Sequence, residues 1–184
     1  MDSRSRQNPG PCLILMAGYP GTGKSTLARA IGDALGWPVI DKDVIVTSLL
    51  RSGIVEEVAQ PASYDAMFAL GLDMLSSQRR SVILDSPAGQ PVSTDEVRRL
   101  ASEATATLVC ILCLADRDTR NHRVANRPAL RSQPVRESRT FGDAREKYGH
   151  LPEDTLLVDT TSALRESLRI VLAHIDHTIS RDNR

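Results

Sequence analysis

Five short apolar runs alternate with longer amphipathic segments along this chain. Each run is continuous rather than alternating, which is typical of strands buried on both faces of a parallel sheet. The alternation with helices therefore predicts an α/β domain, a five-stranded parallel sheet flanked by helices. Strands are predicted at 12–17, 37–41, 81–85, 107–114 and 155–159. Helices are predicted at 24–36, 44–53, 63–80, 93–104, 116–127 and 162–179.

Hydroxyl side chains mark two of the predicted helix starts. Ser63 is a candidate N-cap for the third helix, and Ser93 or Thr94 for the fourth, because a hydroxyl oxygen there accepts a bond from a first-turn amide.

One segment interrupts the alternation. Residues 128–152 are polar, contain prolines and are rich in arginine, and they are long for a connection within a compact domain. We expect an arginine-rich lid at about 127–150. The sequence predicts a single domain over 12–179, with a flexible leader at 1–11 and a flexible tail at 180–184.

Composition narrows the classes of function. The 184 residues include 23 basic and 23 acidic side chains, so the formal net charge is zero, and a nucleic-acid partner is not expected. No apolar stretch approaches the roughly 18 residues that span a bilayer, and the N-terminal residues lack the apolar core of a signal peptide. We expect a cytoplasmic protein with no membrane partner, acting as a monomer or homodimer.

The three cysteines favour a structural interpretation. Cys110 and Cys113 have C-x-x-C spacing, but they lie in a continuous apolar run, where residues three apart on a strand face opposite sides. With Cys12 they are predicted to be buried thiols; a metal or redox site is the alternative.

The densest run of glycine and hydroxyl residues is "AGYPGTGKST", residues 17–26. Gly18, Gly23, Lys24 and Ser25 match the P-loop pattern without a gap, between a predicted strand and a predicted helix. Glycines let successive backbone N–H groups surround a phosphate, and the helix N-terminus adds a positive dipole end. Lys24 is expected to reach the β- and γ-phosphates of ATP, and Ser25 to bind Mg²⁺. The remaining candidate nucleotide-binding residues of this loop are Tyr19, Pro20, Gly21, Thr22 and Thr26.

The alternative is a glycine-rich turn without a ligand. For Tyr19 itself, a plain surface position is the alternative.

Two acids close the second predicted strand. Asp41 and Asp43 lie at the carboxyl edge of the sheet, where open α/β sheets bind ligands. Asp43 is the candidate base that accepts the proton of an attacking hydroxyl, and Asp41 the candidate that supports a metal-bound water. The alternative is that Asp43 caps the following helix.

A third acid, Asp85, ends the third apolar run. This is the pattern of a Walker B aspartate, which organises Mg²⁺; an ordinary turn residue is the alternative. No glutamate follows in "DSPAG", so the water-activating acid of a motor ATPase is missing. The sequence therefore favours transfer to an acceptor over hydrolysis.

Three arginines share one face of the predicted helix at 116–127. Arg120, Arg123 and Arg127 are three and four residues apart. Guanidinium groups stabilise the charge that spreads over a transferring phosphoryl group. We expect Arg123 and Arg127 to contact phosphate during catalysis and Arg120 to lie near adenine; a solvated helix face is the alternative.

Four stretches carry a family resemblance over residues 12–175. They are "LILMAGYPGTGKSTLARAIGDALGWPVIDKD", "SVILDSPAG", "RNHRVANR" and "LLVDTTSALRESL". Together they resemble small P-loop kinases of the AAA_33 / zeta-toxin-like type, near the gluconate, shikimate and chloramphenicol kinases. The resemblance implies a P-loop NTP hydrolase fold of the nucleoside/shikimate-kinase type with an arginine lid. It also implies that Asp43 contacts the acceptor hydroxyl and that Thr160 lies in a loop closing over adenine.

Two departures from these relatives concern the acceptor. The stretch "VIVTSLL" after Asp43 is apolar where related chains often carry a charge, and "SPAGQPVS" lacks the arginines of a shikimate site. Both disfavour gluconate and shikimate. The acceptor pocket is expected from residues 44–75 and 86–95.

Three functions follow from these residues. The first is an ATP-dependent kinase that transfers the γ-phosphoryl group to a hydroxyl of a metabolite or antibiotic. The second changes the acceptor to a nucleoside, a nucleotide or a polynucleotide end. The third, of another class, is an ATP-binding regulatory switch with little transfer.

Overall fold

The fold is a five-stranded parallel sheet between two layers of helices, in a computed structural model that describes residues 10–127 and 144–182. The strand order is β2-β3-β1-β4-β5, and every neighbouring pair runs parallel, as the apolar runs predict. The strands are β1 Cys12–Ala17, β2 Val39–Asp41, β3 Val82–Asp85, β4 Thr107–Leu114 and β5 Leu156–Asp159.

Seven helices are assigned within the described residues, and none of these is long and apolar enough to cross a membrane. They are α1 Lys24–Leu35, α2 Lys42–Arg51, α3 Glu56–Ser76, α4 Pro91–Glu103, α5 Arg117–Asn126, α6 Ala144–Lys147 and α7 Leu164–Asp182.

The central strand β1 explains why the strands read as continuous apolar runs. All six of its residues are buried, because successive side chains point into different layers. Leu13 and Leu15 belong to the core beneath α3 and α4, whereas Ile14 and Met16 belong to the core beneath α1 and α7.

The cysteines are confirmed as buried thiols. Cys110 lies in the first of these cores, and Cys12 and Cys113 lie in the second, so the C-x-x-C pair faces opposite sides of the sheet. Burial raises the pKa of each thiol to about 12.

Two predicted helix caps are wrong. α3 begins at Glu56, ahead of Pro61, and Ser63 lies buried inside it with its hydroxyl donating to the Gln60 carbonyl oxygen at 2.6 Å. α4 begins with Pro91 at its first position, where a missing N–H costs nothing. Ser93 and Thr94 are therefore buried helix residues, and Gln90 precedes the helix without a side-chain cap bond.

Three predicted segments lie wholly or partly outside the described residues. This applies to 1–9 of the leader, 128–143 of the lid and 183–184 of the tail. Helix α7 continues to Asp182, beyond the predicted end at 179. The C-terminal part of the predicted lid holds α6 and Tyr148, which is buried in the core. The arginine-rich lid stays a prediction.

Candidate active site

The loop between β1 and α1 is a tight turn closed by its own bonds. The amide and the hydroxyl of Thr22 both donate to the Tyr19 carbonyl oxygen, at 3.2 and 2.8 Å. Gly21 has a φ of 82° and lies against α5, where an added Cβ would come within 2.5 Å of the Arg120 carbonyl oxygen. Glycine is thus required at 21 both by backbone conformation and by space.

A cavity of about 610 Å³ opens over the N-terminus of α1. Several predicted phosphate-binding residues line it from the loop: Gly21, Gly23, Lys24, Ser25 and Thr26. Predicted site residues from other parts of the chain also line it: Asp41, Asp43, Arg123, Arg127 and Thr160. The fold therefore collects in one cavity residues that are more than 100 positions apart in the sequence.

Asp41, rather than Asp43, caps α2. Its carboxylate accepts a bond from the Asp43 amide at 2.9 Å, and its second oxygen accepts one from Arg29 Nη2 at 3.3 Å. The alternative in which Asp43 caps the helix is wrong. The cap instead fixes the first turn of α2 so that the Asp43 carboxylate lines the cavity.

Burial raises the pKa of Asp43 above the usual range of a carboxyl group. The positive charges of Lys24, Lys42 and, more weakly, Arg127 act against this shift. Lys42 Nζ lies 4.0 Å from the Asp43 carboxylate. The site thus holds a carboxylate whose proton affinity is set by desolvation and by surrounding cations.

Lys42 is a site residue to which the sequence interpretation gave no role. It is 6% exposed, its ammonium group donates to Gln60 Oε1 at 2.5 Å, and it lies 5.0 Å from the centroid of the Tyr64 ring. Burial lowers its pKa. The sequence feature that could have indicated a role for Lys42 is its position between Asp41 and Asp43, in a chain with only three lysines.

Asp85 lies beside Asp41 at the end of the sheet. The two residues are register partners on β3 and β2. Asp85 is 2% exposed, and neither of its carboxylate oxygens has a hydrogen-bond partner within residues 10–127 and 144–182. Burial raises the pKa of this carboxyl group, whereas the positive charge of Lys24 lowers it.

An unpaired buried carboxylate near a phosphate loop fits a hard cation. Mg²⁺ takes oxygen ligands and is held in such sites by one or two protein groups together with substrate phosphates. The described residues contain no group of three or more His, Cys, Asp or Glu side chains able to hold a metal by themselves.

Arg123 and Thr160 join three elements around the loop. Arg123 donates to the Thr160 carbonyl oxygen at 2.7 Å and to its hydroxyl oxygen at 3.1 Å. The Thr160 hydroxyl donates to the Thr22 carbonyl oxygen, and its amide donates to Leu114. α5, the turn after β5 and the phosphate loop are therefore tied together beside the cavity.

Arg120 contacts the outer side of the phosphate loop. Its guanidinium carbon lies 5.1 Å from the Tyr19 ring centroid, and Tyr19 in turn makes an edge contact with Tyr148 at 5.4 Å. Tyr19 is buried, so its surface alternative is wrong. Arg120 does not line the 610 Å³ cavity, and its place near adenine stays a prediction.

A second cavity, of about 990 Å³, lies between α3 and the beginning of α4. Its lining comes from Lys42 and from residues 60–72 and 90–100. Both segments overlap the ranges from which the acceptor pocket was expected. Lys42 connects the two cavities, because it lines the second and lies 4.0 Å from Asp43 in the first.

The fold and the site have the arrangement of small P-loop kinases: a phosphate loop follows the central strand of a parallel sheet, and acids end the next two strands along the sheet edge. The chain belongs to the AAA_33 family, described as an AAA domain, which matches residues 13–151.

Two groups of curated sequences are similar to this chain. An uncharacterized protein of Mycobacterium tuberculosis is 31% identical over 138 residues, covering 68% of this chain and 27% of the relative. The chain thus spans about a quarter of that relative's length. A shikimate kinase of Nitratidesulfovibrio vulgaris is 31% identical over 128 residues, covering 67% of this chain and 73% of that enzyme.

Solved structures share the fold. A protein of Chloroflexus aurantiacus superposes with a TM-score of 0.69 at 21% identity, covering 93% of this chain and 99% of that one. A gluconokinase of Sinorhizobium meliloti superposes with a TM-score of 0.61 at 21% identity, covering 94% and 95%. At such identities the likeness shows a common architecture.

Proposed function

We propose that this chain transfers the γ-phosphoryl group of ATP to a hydroxyl group of a small molecule. The main support for this proposal is that Lys24 of the phosphate loop and Asp43 line the same cavity. Phosphoryl transfer needs a cationic cradle and a group that accepts the hydroxyl proton, and this cavity holds both. Relatives named as shikimate kinase and gluconokinase support an alcohol acceptor.

On the nucleotide side, the loop amides and Lys24 bind the β- and γ-phosphates. Arg123 and Arg127 contact the transferring group, where guanidinium charge offsets the charge on its oxygens. Ser25 and Asp85 would hold Mg²⁺, with Asp41 supporting its water ligands. When bound, Mg²⁺ neutralises charge on the β- and γ-phosphates.

On the acceptor side, Asp43 takes the hydroxyl proton. The acceptor oxygen forms a bond to the γ-phosphorus, the bond from that phosphorus to the β–γ bridging oxygen breaks, and ADP leaves with the electron pair. A raised pKa suits this role, because a base is more effective when its pKa lies nearer the working pH. The body of the acceptor occupies the second cavity, across Lys42 from the nucleotide.

We assign this activity to a domain over residues 12–179 that acts in the cytoplasm as a monomer or homodimer. The zero net charge favours a small-molecule acceptor over a polynucleotide end.

The test replaces the base while preserving its shape. Asp43→Asn is expected to lower product formation by about 10²–10⁴-fold and to leave nucleotide affinity within a factor of about two. The assay incubates the protein with ATP, Mg²⁺ and a panel of hydroxyl-bearing metabolites and antibiotics, and detects phosphorylated products by mass spectrometry. Asp33→Asn, on the exposed face of α1, is the matched control.

Undiminished transfer by Asp43→Asn would remove Asp43 as the base. Binding of ATP without any product across the panel would instead support the regulatory switch.

A further inference from the structure

We infer that the acceptor is a neutral or cationic alcohol with an apolar ring face, and that it carries no carboxylate or phosphate. This inference rests on the proposed function and specifies its substrate class. It comes from the charges and surfaces that line the second cavity.

The interior of the second cavity offers an apolar surface. Phe68, Leu72 and Leu100 line it together with the ring of Tyr64, whose centroid lies 5.9 Å from that of Phe68. Tyr64, Phe68 and Leu72 are half-buried and pack at the edge of the core, whereas Leu100 is fully buried within it. A flat or alicyclic apolar face packs on such a surface, and its volume of about 990 Å³ is enough for a molecule of drug-like size.

The buried cation of this cavity is already engaged. Lys42 donates to Gln60 Oε1, lies over the Tyr64 ring and is paired at 4.0 Å with Asp43. An acceptor carboxylate that recruited Lys42 would draw the ammonium group away from three partners. It would also add a negative charge beside the carboxylate proposed as the base.

The second cation of the described lining is engaged as well. Arg99 pairs with Glu96 at 2.6 Å and with Glu103 at 2.5 Å. Asp65 lines the same cavity, is exposed, and makes no ion pair with another described residue. Both cations of the described lining are therefore paired with acids, whereas the Asp65 carboxylate makes no ion pair there.

Among the described residues, two cations and two carboxylates line this cavity: Lys42, Arg99, Asp65 and Glu96. Both cations are paired with carboxylates, Lys42 with Asp43 and Arg99 with Glu96 and Glu103. An anionic acceptor would therefore meet no unpaired cation in this lining and would lie near the Asp65 carboxylate, which is unfavourable in a partly desolvated site. Shikimate and gluconate both carry a carboxylate, and the inference separates this chain from the relatives that are named for them.

Three acceptors that differ in one para substituent, which is neutral, cationic or anionic, test this inference. They are 1,4-benzenedimethanol, 4-(aminomethyl)benzyl alcohol and 4-(hydroxymethyl)benzoate, which share an aromatic ring and a benzylic hydroxyl group. With ATP and Mg²⁺, product formation is followed by ³¹P NMR. We expect kcat/KM for the neutral and cationic alcohols to exceed that for the carboxylate by at least about tenfold.

A charge reversal at the cavity wall supplies the second arm. Asp65→Lys is expected to lower the amine-to-carboxylate ratio of kcat/KM by about tenfold or more. Asp73→Lys, an exposed reversal on the same helix that lines neither cavity, should leave this ratio unchanged.

The outcomes with a phosphorylated product separate this inference from the kinase function on which it rests. If 4-(hydroxymethyl)benzoate is the best of the three acceptors and its phosphorylation depends on Asp43, the inference is overturned and the kinase function is supported. If the benzylic alcohols fail and another acceptor from the wider panel is phosphorylated, an anionic acceptor overturns the inference and a neutral or cationic one supports it. Absence of any product while ATP binds would overturn both.

Discussion

Arg123 holds Thr160 through two atoms at once, donating to its carbonyl oxygen and to its side-chain oxygen. Thr160 passes this contact on to the phosphate loop, since its hydroxyl donates to the Thr22 carbonyl oxygen. Residues from three separate parts of the chain thus share one polar network. The arginine proposed to contact the transferring group is fixed by a threonine rather than by an acid, so its charge is not neutralised by its support.

We predict that Thr160→Val weakens ATP binding. Valine keeps the shape but removes the side-chain acceptor of Arg123 and the donor to Thr22, while the carbonyl acceptor stays. A loss of about 1–2 kcal/mol corresponds to roughly a 5- to 30-fold increase in Kd. Calorimetry with a non-hydrolysable ATP analogue measures this change. Thr161→Val, at the exposed neighbouring position, should bind as the unaltered chain does. Equal affinities for the two variants would show that the network is irrelevant to the nucleotide.

Asp85→Asn is predicted to separate stability from function. Without nucleotide the free energy of unfolding should rise, because a neutral amide is easier to bury than an unpartnered carboxylate. The thermal stabilisation by ATP with Mg²⁺ should shrink, and kcat should fall by about a hundredfold. Denaturant unfolding and thermal shifts with and without Mg²⁺ check the two effects. A variant that is less stable yet fully Mg²⁺-responsive would contradict the assignment.

Two glycine substitutions distinguish the effect of backbone strain from the effect of a steric clash. Gly21→Ala and Gly53→Ala both place a side chain at positive φ, but only at Gly21 does the added Cβ meet backbone, that of Arg120. The Gly53 variant should lose about 1–2 kcal/mol of unfolding free energy, and the Gly21 variant more, together with ATP binding. Chemical denaturation and calorimetry give the comparison. Equal losses of unfolding free energy in the two variants would mean that α5 shifts to accommodate the added methyl group.

Much of the fold follows from local pattern. The five apolar runs are the five strands, and a strand covered on both faces, such as β1, needs no polar position. The first residues of the helices were harder to predict from the sequence than the strands. α3 begins at Glu56 although Pro61 suggests a break, since a proline in the second turn removes only one bond while the helix buries Met67 and Leu75 beyond it.

The candidate site shows the same division. Spacing alone identifies Lys24 and Ser25, because all atoms of that cradle come from one loop. The cap at Asp41 and the contacts of Lys42 depend on how α2 leaves the sheet and on which face α3 presents to it. Those are properties of packing, which no local pattern records.

The cap of α5 predicts a dependence on pH. Asp116 accepts bonds from the Thr119 hydroxyl and amide, and these bonds lower the pKa of Asp116 below its usual range. The folded state therefore binds this proton less readily than the unfolded state. The contribution is complete above the ordinary carboxyl pKa of about 4 and is lost as the pH falls through the lower folded value.

Asp116→Ala should accordingly reduce the melting temperature at neutral pH, and its difference from the unaltered chain should shrink as the pH falls from about 5 towards 2. Calorimetric scans across that range measure both. Asp116→Asn retains the cap without a charge, and its capping contribution should not change with pH. If the difference in melting temperature between Asp116→Ala and the unaltered chain did not change with pH, the Asp116 carboxylate would not be the source of the pH dependence.

The three buried thiols can serve as probes of local opening on the two sides of the sheet. Because the pKa of each thiol is raised to about 12, almost none is ionised at neutral pH, and a thiol reagent reacts only after the surrounding layer separates. Cys110 reports on the layer under α3 and α4, whereas Cys12 and Cys113 report on the layer under α1 and α7. Labelling rates of the unaltered chain, followed by peptide mapping, thus tell whether nucleotide stiffens one side of the sheet or both.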